Sequence, residues 1–163
     1  MTNMPVLRPL PILTKGQNVL KRAWRWFTSI RKWQVVEDYV LSFEGRRLII
    51  PAGFVFDGAS IPRVFWSVLS PTGLLLIPGI FHDYGYRYDH LWEGISTGRR
   101  KCFDGAGKAF WDRMFMRLGQ EINGVHFVNA VAWAALAIGG FAAWKGNRNL
   151  GYDRHPEGRG EEL

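Results

Sequence analysis

The sequence predicts an α+β domain in which a small antiparallel sheet packs on a helical core, with an apolar helix near the C-terminus. Residues 33–50 are rich in β-branched and aromatic side chains, which is typical of a β-hairpin. Residues 74–92 and 108–118 carry apolar side chains at helical spacing. Residues 125–144 are almost wholly apolar, which predicts a further helix.

The length and composition predict one globular domain. A chain of 163 residues with 47% hydrophobic content can bury one sizeable core but not two comfortable ones. Residues 1–14 carry three prolines and are predicted to form an extended arm. The domain then covers residues 15–146, and the Gly-rich, charged residues 147–163 are predicted to be a disordered tail.

The charge balance predicts an anionic partner. The formal net charge is +7, and eight Trp and eleven Phe favour a phospholipid surface, since indole rings prefer membrane interfaces. Nucleic acid is the less favoured partner because no recognisable binding module accompanies the charge. Cys102 is the only cysteine, which excludes an intramolecular disulfide. No signal peptide is recognisable, so we expect synthesis in the cytoplasm and then association with a membrane or a virion.

The first helix, predicted over residues 15–32, is amphipathic and basic. It can lie on an anionic membrane or pack its Trp-bearing face on the domain. The hairpin follows, with strands at 33–43 and 47–50 and a turn at Glu44-Gly45.

A loop with an Asp-Gly turn follows the hairpin. Asp57 and Gly58 lie in this loop, and Ser60 can cap a short helix over residues 63–69. The Asp57 carboxylate can serve an Asx-turn or act as a ligand.

The central helix, predicted over residues 74–92, concentrates the polar chemistry. The spacing of His82, Tyr86 and Asp89 places them on one face, while Asp83 lies on the neighbouring face. After it, residues 94–107 are predicted to be a loop, whose basic triplet at 99–101 is either solvated or contacts phosphate.

Asp112 lies among aromatic and apolar residues in the next helix. A carboxylate in such surroundings is costly without a partner, and His82 is the obvious candidate. The pair can be catalytic, or it can simply hold two helices together. Residues 125–144 are close to the length that crosses a bilayer, so this helix either enters a membrane or is buried in the domain.

Three stretches resemble a phage- and prophage-associated family of undetermined function known as DUF1353. They are PAGFVFDGASIPRVFW at 51–66, FHDYGYR at 81–87 and FWDRMF at 110–115. This resemblance covers about two-thirds of the chain and implies a phage context without implying any chemistry.

A second, local resemblance does imply a chemistry. The His-Asp-x-x-Tyr motif of residues 82–86, followed by Asp112, is similar to the catalytic helices of prokaryotic phospholipases A2. The resemblance implies that His82 is the general base, Asp112 the acid that orients it, Tyr86 a hydrogen-bonding support and Asp83 a calcium ligand. Calcium needs several oxygen ligands, and the loop with Asp57 and Gly58 is the candidate source of the others. That loop departs from the calcium-loop pattern of those enzymes.

Two functions therefore stand as expectations. One is a phage-encoded, calcium-dependent lipid hydrolase that acts at the host envelope. The other is a non-catalytic virion or tail protein whose apolar helix docks to a membrane or to other phage proteins. Zinc is not expected, because His82 and His90 lie eight residues apart and Cys102 has no cysteine partner.

Overall fold

The computed structural model describes residues 3–11, 32–56 and 73–150. Within these ranges the chain forms two antiparallel sheets and three helices, which confirms the predicted α+β class. The predicted basic helix at 15–32, the Asp57 loop and the short helix at 63–69 lie outside the described residues, apart from Lys32.

The first sheet has three short strands in the order β1-β2-β5, namely Leu7–Pro9, Trp33–Val35 and Val55–Phe56. Strand β1 belongs to the predicted extended arm and pairs antiparallel with β2. The prediction of one strand over residues 33–43 is wrong, because the chain leaves this sheet after Val35 and starts a strand of the second sheet at Tyr39.

The second sheet has the order β3-β4-β6-β7. Strands β3 (Tyr39–Phe43) and β4 (Arg46–Ile50) form the predicted hairpin. Its turn residues Glu44 and Gly45 both have positive φ angles, 49° and 75°, as a two-residue turn matched to the strand twist requires.

The helix predicted over 74–92 is shorter in the structure and a second hairpin follows it. Helix α1 spans Leu76–Tyr88, and the chain reverses at Asp89, whose φ of 56° is left-handed. Strands β6 (Leu91–Ile95) and β7 (Gly98–Cys102) then pair with each other. The prediction of a helix to residue 92 is therefore wrong after Tyr88, and the prediction of a loop over 94–107 is wrong where β6 and β7 form. Backbone pairing with β4 and β6 outweighs the weak strand propensity of Gly94, Arg99 and Arg100.

Helix α2 (Lys108–Asn123) confirms the predicted helix and extends it, and α3 (His126–Asn149) confirms the apolar C-terminal helix. Residues 147–149 of the predicted tail belong to α3, and residues 151–163 lie outside the described residues. The core is formed by side chains of both sheets, α1 and α2, and α3 contacts both of these helices. Its fully buried apolar side chains include Val35, Leu48, Ile50, Ile80, Leu91, Trp111 and Leu118.

Glycine lies at each of the three helix contacts. A Cβ atom on Gly85 of α1 would lie 2.3 Å from the Trp111 ring of α2, and one on Gly119 would lie 2.3 Å from the Asn129 side chain of α3. A Cβ atom on Gly140 of α3 would lie 2.5 Å from the Tyr86 hydroxyl of α1. The missing side chains therefore let the helices approach closely enough for polar groups of all three to meet.

Candidate functional site

The site is built around Asp112, which projects from α2 towards α1. Its Oδ1 atom lies 3.1 Å from His82 Nε2 and accepts a hydrogen bond of 2.5 Å from the Tyr86 hydroxyl. Its Oδ2 atom accepts a hydrogen bond of 2.7 Å from Lys108 Nζ. His82 and Tyr86 are one helical turn apart on α1, so both face α2.

Hydrogen bonding keeps Asp112 ionised although it is 4% exposed. Burial by itself would raise the pKa of this carboxyl group, but hydrogen bonds from His82, Lys108 and Tyr86 lower its pKa below the ordinary value of 3.8. A carboxylate only accepts hydrogen bonds, so His82 must carry a proton on Nε2. Asp112 thereby sets the tautomer and the ring orientation of His82.

The second ring nitrogen of His82 faces a second acid. Nδ1 lies 3.8 Å from Asp83 Oδ1, beyond the normal length of a direct hydrogen bond. Burial lowers the pKa of His82, whereas its interactions with Asp112 and Asp83 raise it, and the net pKa lies above 6.5. The His82 side chain is 4% exposed, whereas that of Asp83 is 23% exposed, so Asp83 is the more accessible of the two groups.

Tyr86 acts in this cluster as a phenol. Burial and the neighbouring Asp112 carboxylate both raise the pKa of its hydroxyl well above 10.0. It therefore stays protonated at neutral pH and donates a hydrogen bond to Asp112.

Lys108 is the residue that the sequence analysis missed. It begins α2, its side chain is 16% exposed, and its ammonium group reaches Asp112 and two backbone carbonyl groups of α3. The four-residue spacing from Lys108 to Asp112 is a signal of this ion pair that the sequence does contain.

The structure therefore brings His82, Asp112 and Tyr86 together and places Asp83 beside them. It does not place Asp89 on the same face, because α1 ends at Tyr88. The Asp89 carboxylate instead accepts hydrogen bonds from Trp111 Nε1 and from the backbone N–H of Gly107, at 2.7 and 3.0 Å. These hydrogen bonds connect the end of α1 to the start of α2.

The described residues do not by themselves fit calcium. They contain no cluster of three or more His, Cys, Asp or Glu side chains suited to a metal ion. Asp83 supplies one carboxylate, whereas calcium takes about six to eight oxygen ligands. The other two predicted ligands, Asp57 and Gly58, lie outside the part of the chain that the structure describes.

Two other side chains of reactive type in the described ranges, those of His90 and Cys102, are buried in the fold away from the Asp112 cluster. The imidazole of His90 is buried and its Nδ1 lies 3.0 Å from the carbonyl oxygen of Tyr88. Cys102 is a free, buried thiol, and burial raises its pKa to about 11.

Helix α3 has one packed side and one exposed side. Asn129, Ala132 and Gly140 are buried on the side that contacts α1 and α2. The helix is long and apolar enough to cross a membrane by length and composition, yet only 11% of that apolar stretch is buried within the structure. The exposed apolar side chains include Phe127, Val131, Ile138 and Phe141, which share one side by the 3.6-residue period.

The family model described as a protein of unknown function (DUF1353) matches residues 33–136, more than half of the chain. The chain belongs to the DUF1353 family. The matched region of this DUF1353 protein includes α1, α2 and the first eleven residues of α3, and therefore the whole His82–Asp112 cluster. No curated protein and no solved structure matches the chain.

Proposed function

We propose that this protein is a phage-encoded hydrolase of phospholipid esters in which His82 is the general base. The observation that carries the proposal is the 3.1 Å contact between His82 Nε2 and Asp112 Oδ1. A carboxylate that fixes one ring nitrogen leaves the other as the site of proton transfer, as in a base oriented by an acid.

His82 Nδ1 faces the partly exposed Asp83, so this is the side from which water would approach. Asp83 Oδ1 lies 3.8 Å from Nδ1, beyond the normal length of a direct hydrogen bond, which leaves the Nδ1 lone pair to a water molecule in this proposal. In its neutral form, His82 takes a proton from water at Nδ1 while the hydroxide attacks the ester carbonyl carbon. The tetrahedral intermediate then loses the alcohol oxygen, which takes the proton back from Nδ1 to give a fatty acid and a lysophospholipid.

The surroundings of α3 support a membrane substrate. Its exposed side is apolar, and the chain carries a net charge of +7, which favours anionic lipids. Its opposite side is covered by α1 and α2, with polar contacts at mid-helix. A folded domain can thus lay the exposed side of α3 on the bilayer, so we propose docking in the membrane interface as the mode of attachment.

Among the described residues, Asp83 is the one proposed calcium ligand. The remaining oxygen ligands would have to come from the segment that carries Asp57 and Gly58. The mechanism above therefore runs through the side chains of α1 and α2 alone.

The test is fatty-acid release from phosphatidylglycerol vesicles, with calcium or with a chelator. We expect release by the wild type and a loss of about 100- to 10,000-fold in His82→Gln, the range that a general base contributes. His90→Gln is the matched control, because His90 is similarly buried and its Nδ1 lies 3.0 Å from the carbonyl oxygen of Tyr88, outside the Asp112 cluster. Circular dichroism checks that both variants are folded. Absence of release by the wild type under both metal conditions would refute the proposal.

A second candidate is a non-catalytic phage virion or tail protein that docks through α3. It is favoured by the closed network at Asp112, in which both carboxylate oxygens are bonded to groups of α1 and α2. Such a network stabilises helix packing without any substrate. On this alternative His82→Gln would lower the free energy of unfolding while vesicles stay intact with every variant.

A further inference from the structure

Lys108 connects the Asp112 carboxylate of α2 to the backbone of α3. Its Nζ atom donates to Asp112 Oδ2 at 2.7 Å and to the carbonyl oxygens of Leu136 and Ala137, each at 3.1 Å. The three acceptors match the three N–H donors of an ammonium group. Lys108 is therefore held at both ends, by the acid and by the helix.

The position of Lys108 is unfavourable for α2 itself. A cation in the first turn opposes the helix dipole, and a lysine that precedes an acid by four residues is the weaker order of the two. Its contacts with Asp112 and with α3 offset this cost. Lys108 thus stabilises the contact between α2 and α3 more than it stabilises α2 itself.

Gly140 lies in the turn of α3 that Lys108 contacts, and it leaves the backbone of that turn open to the ammonium group. Within a helix the N–H group of residue 140 lies over the carbonyl of residue 136, and a glycine there leaves that carbonyl uncovered. The glycine also accommodates Tyr86, whose hydroxyl would lie 2.5 Å from a Cβ atom on Gly140. Two of the three groups bonded to Asp112 therefore touch one turn of α3.

We propose that Lys108 is a positioning residue that ties Asp112 to α3, so that the docking of α3 on a membrane sets the geometry of the His82–Asp112 pair. The link to the membrane rests on the proposed function, whereas the link between Lys108, Asp112 and α3 does not. Displacement of α3 would pull the ammonium group away from Asp112 and loosen the carboxylate that orients His82.

The test compares Lys108→Met with Lys108→Arg in the full-length protein. Two measurements are made: fatty-acid release from phosphatidylglycerol vesicles and the NMR resonance of the His82 Nε2–H proton without lipid. We expect Lys108→Met to shift this resonance beyond its linewidth and to lose about tenfold in rate, the lower end for a residue that orients a catalytic group. Lys108→Arg keeps a cation and should restore most of the rate.

A second pair of variants probes the α3 side without altering any charge. Gly140→Ala places a methyl group against Tyr86, whereas the adjacent Gly139→Ala meets no atom within 4 Å and is the control. We expect the His82 resonance and the rate to change in Gly140→Ala alone. If Lys108→Met does not fold, this pair still tests whether the packing of α3 sets the geometry of the His82–Asp112 pair.

The outcomes separate the two proposals. A wild-type resonance and rate in both Lys108→Met and Gly140→Ala would overturn the positioning role, even in an active enzyme. A shifted resonance in these variants, with no fatty-acid release by the wild type, would refute the hydrolase and leave the link between Lys108, Asp112 and α3 in place.

Discussion

At the scale of single residues, the behaviour of the site follows from the hydrogen bonding of Asp112, whose two carboxylate oxygens are shared by three donor groups. His82 and Tyr86 share Oδ1, and Lys108 takes Oδ2. A carboxylate so bonded resists protonation, and its charge in turn holds a proton on His82. The pair is therefore an ion pair in mildly acidic solution below pH 6.5, and it becomes a neutral base beside a carboxylate only once the pH exceeds the raised pKa of His82.

The pKa shifts predict how stability depends on pH. The folded pKa of His82 lies above 6.5, so its contribution is complete below pH 6.5 and is lost as pH rises through the folded value. The folded pKa of Asp112 lies below 3.8, so its contribution is present above pH 3.8 and is lost as pH falls through the folded value. Both contributions coexist between these two limits.

Urea unfolding between pH 5 and pH 9, with a chelator present, measures this effect. The free energy of unfolding of the wild type minus that of His82→Gln should be largest near pH 5 and should shrink above pH 6.5. The difference removes most other titrating groups, since the two chains share them. A difference that stays constant, or that grows above pH 6.5, would contradict the assigned charge states.

Gly85 supports the site by its lack of a side chain. Its absent Cβ leaves room for the fully buried Trp111 ring, and a methyl group there would lie 2.3 Å from that ring. We expect Gly85→Ala to cost about 1–3 kcal/mol of unfolding free energy, the range for overpacking a core. Gly139→Ala, in the open part of α3, should be neutral or slightly stabilising.

Chemical denaturation measures both variants. Equal stabilities for Gly85→Ala and Gly139→Ala would show that α1 and α2 can separate at no cost. In that case the 3.1 Å contact between His82 and Asp112 would not be set by the close approach of the helices.

At the scale of elements, α3 has two unlike sides. One side contacts α1 and α2 through small and polar residues, and the other exposes Phe127, Ile138 and Phe141, with Ile138 85% exposed. Apolar composition alone cannot separate a span from a buried helix. The structure shows instead a helix with one packed side and one open side, which is the arrangement that the proposed docking in a membrane interface requires.

Charged substitutions on the open side should release the protein from lipid. We expect Ile138→Asp with Phe141→Asp to lose flotation with phosphatidylglycerol vesicles, since acidic groups oppose both apolar insertion and attraction to anionic lipid. Val40→Asp is the control, because Val40 is an exposed apolar residue on a strand. Undiminished flotation of the double variant would contradict docking through α3. Retention of the wild type through an alkaline wash would indicate a span.

At the scale of the whole molecule, the described part of the chain is organised around a triangle of helices that meets at Asp112. Each side of the triangle has one glycine, at Gly85, Gly119 and Gly140. The second sheet supports this arrangement from the side of α1. Asp112, His82 and α3 are thus parts of one packed unit.

Much of this arrangement could be read from local patterns. The hairpin turn at Glu44-Gly45, the helical spacing around His82 and the apolar run of α3 each depend on neighbouring residues, so the sequence predicts them. The isolation of Asp112 among apolar residues also predicts its partner His82 correctly.

Other features depend on contacts that are distant in sequence. Strand β7 is polar and basic, and only its pairing with β6 makes it a strand. The contact of Lys108 with α3 joins residues 28 and 29 positions apart, and no local pattern indicates it. The packed side of α3 is likewise set by contacts between helices, at Gly119 of α2 and at Gly140 of α3 itself.

The central claim is that water, activated at His82, attacks a phospholipid ester. It is tested most directly by incubating the wild-type protein with phosphatidylglycerol vesicles in ¹⁸O-labelled water and analysing the products by mass spectrometry. The mechanism predicts a fatty acid that carries one ¹⁸O atom from water and an unlabelled lysophospholipid. Intact phospholipid, or label in the alcohol product instead of the fatty acid, would contradict it.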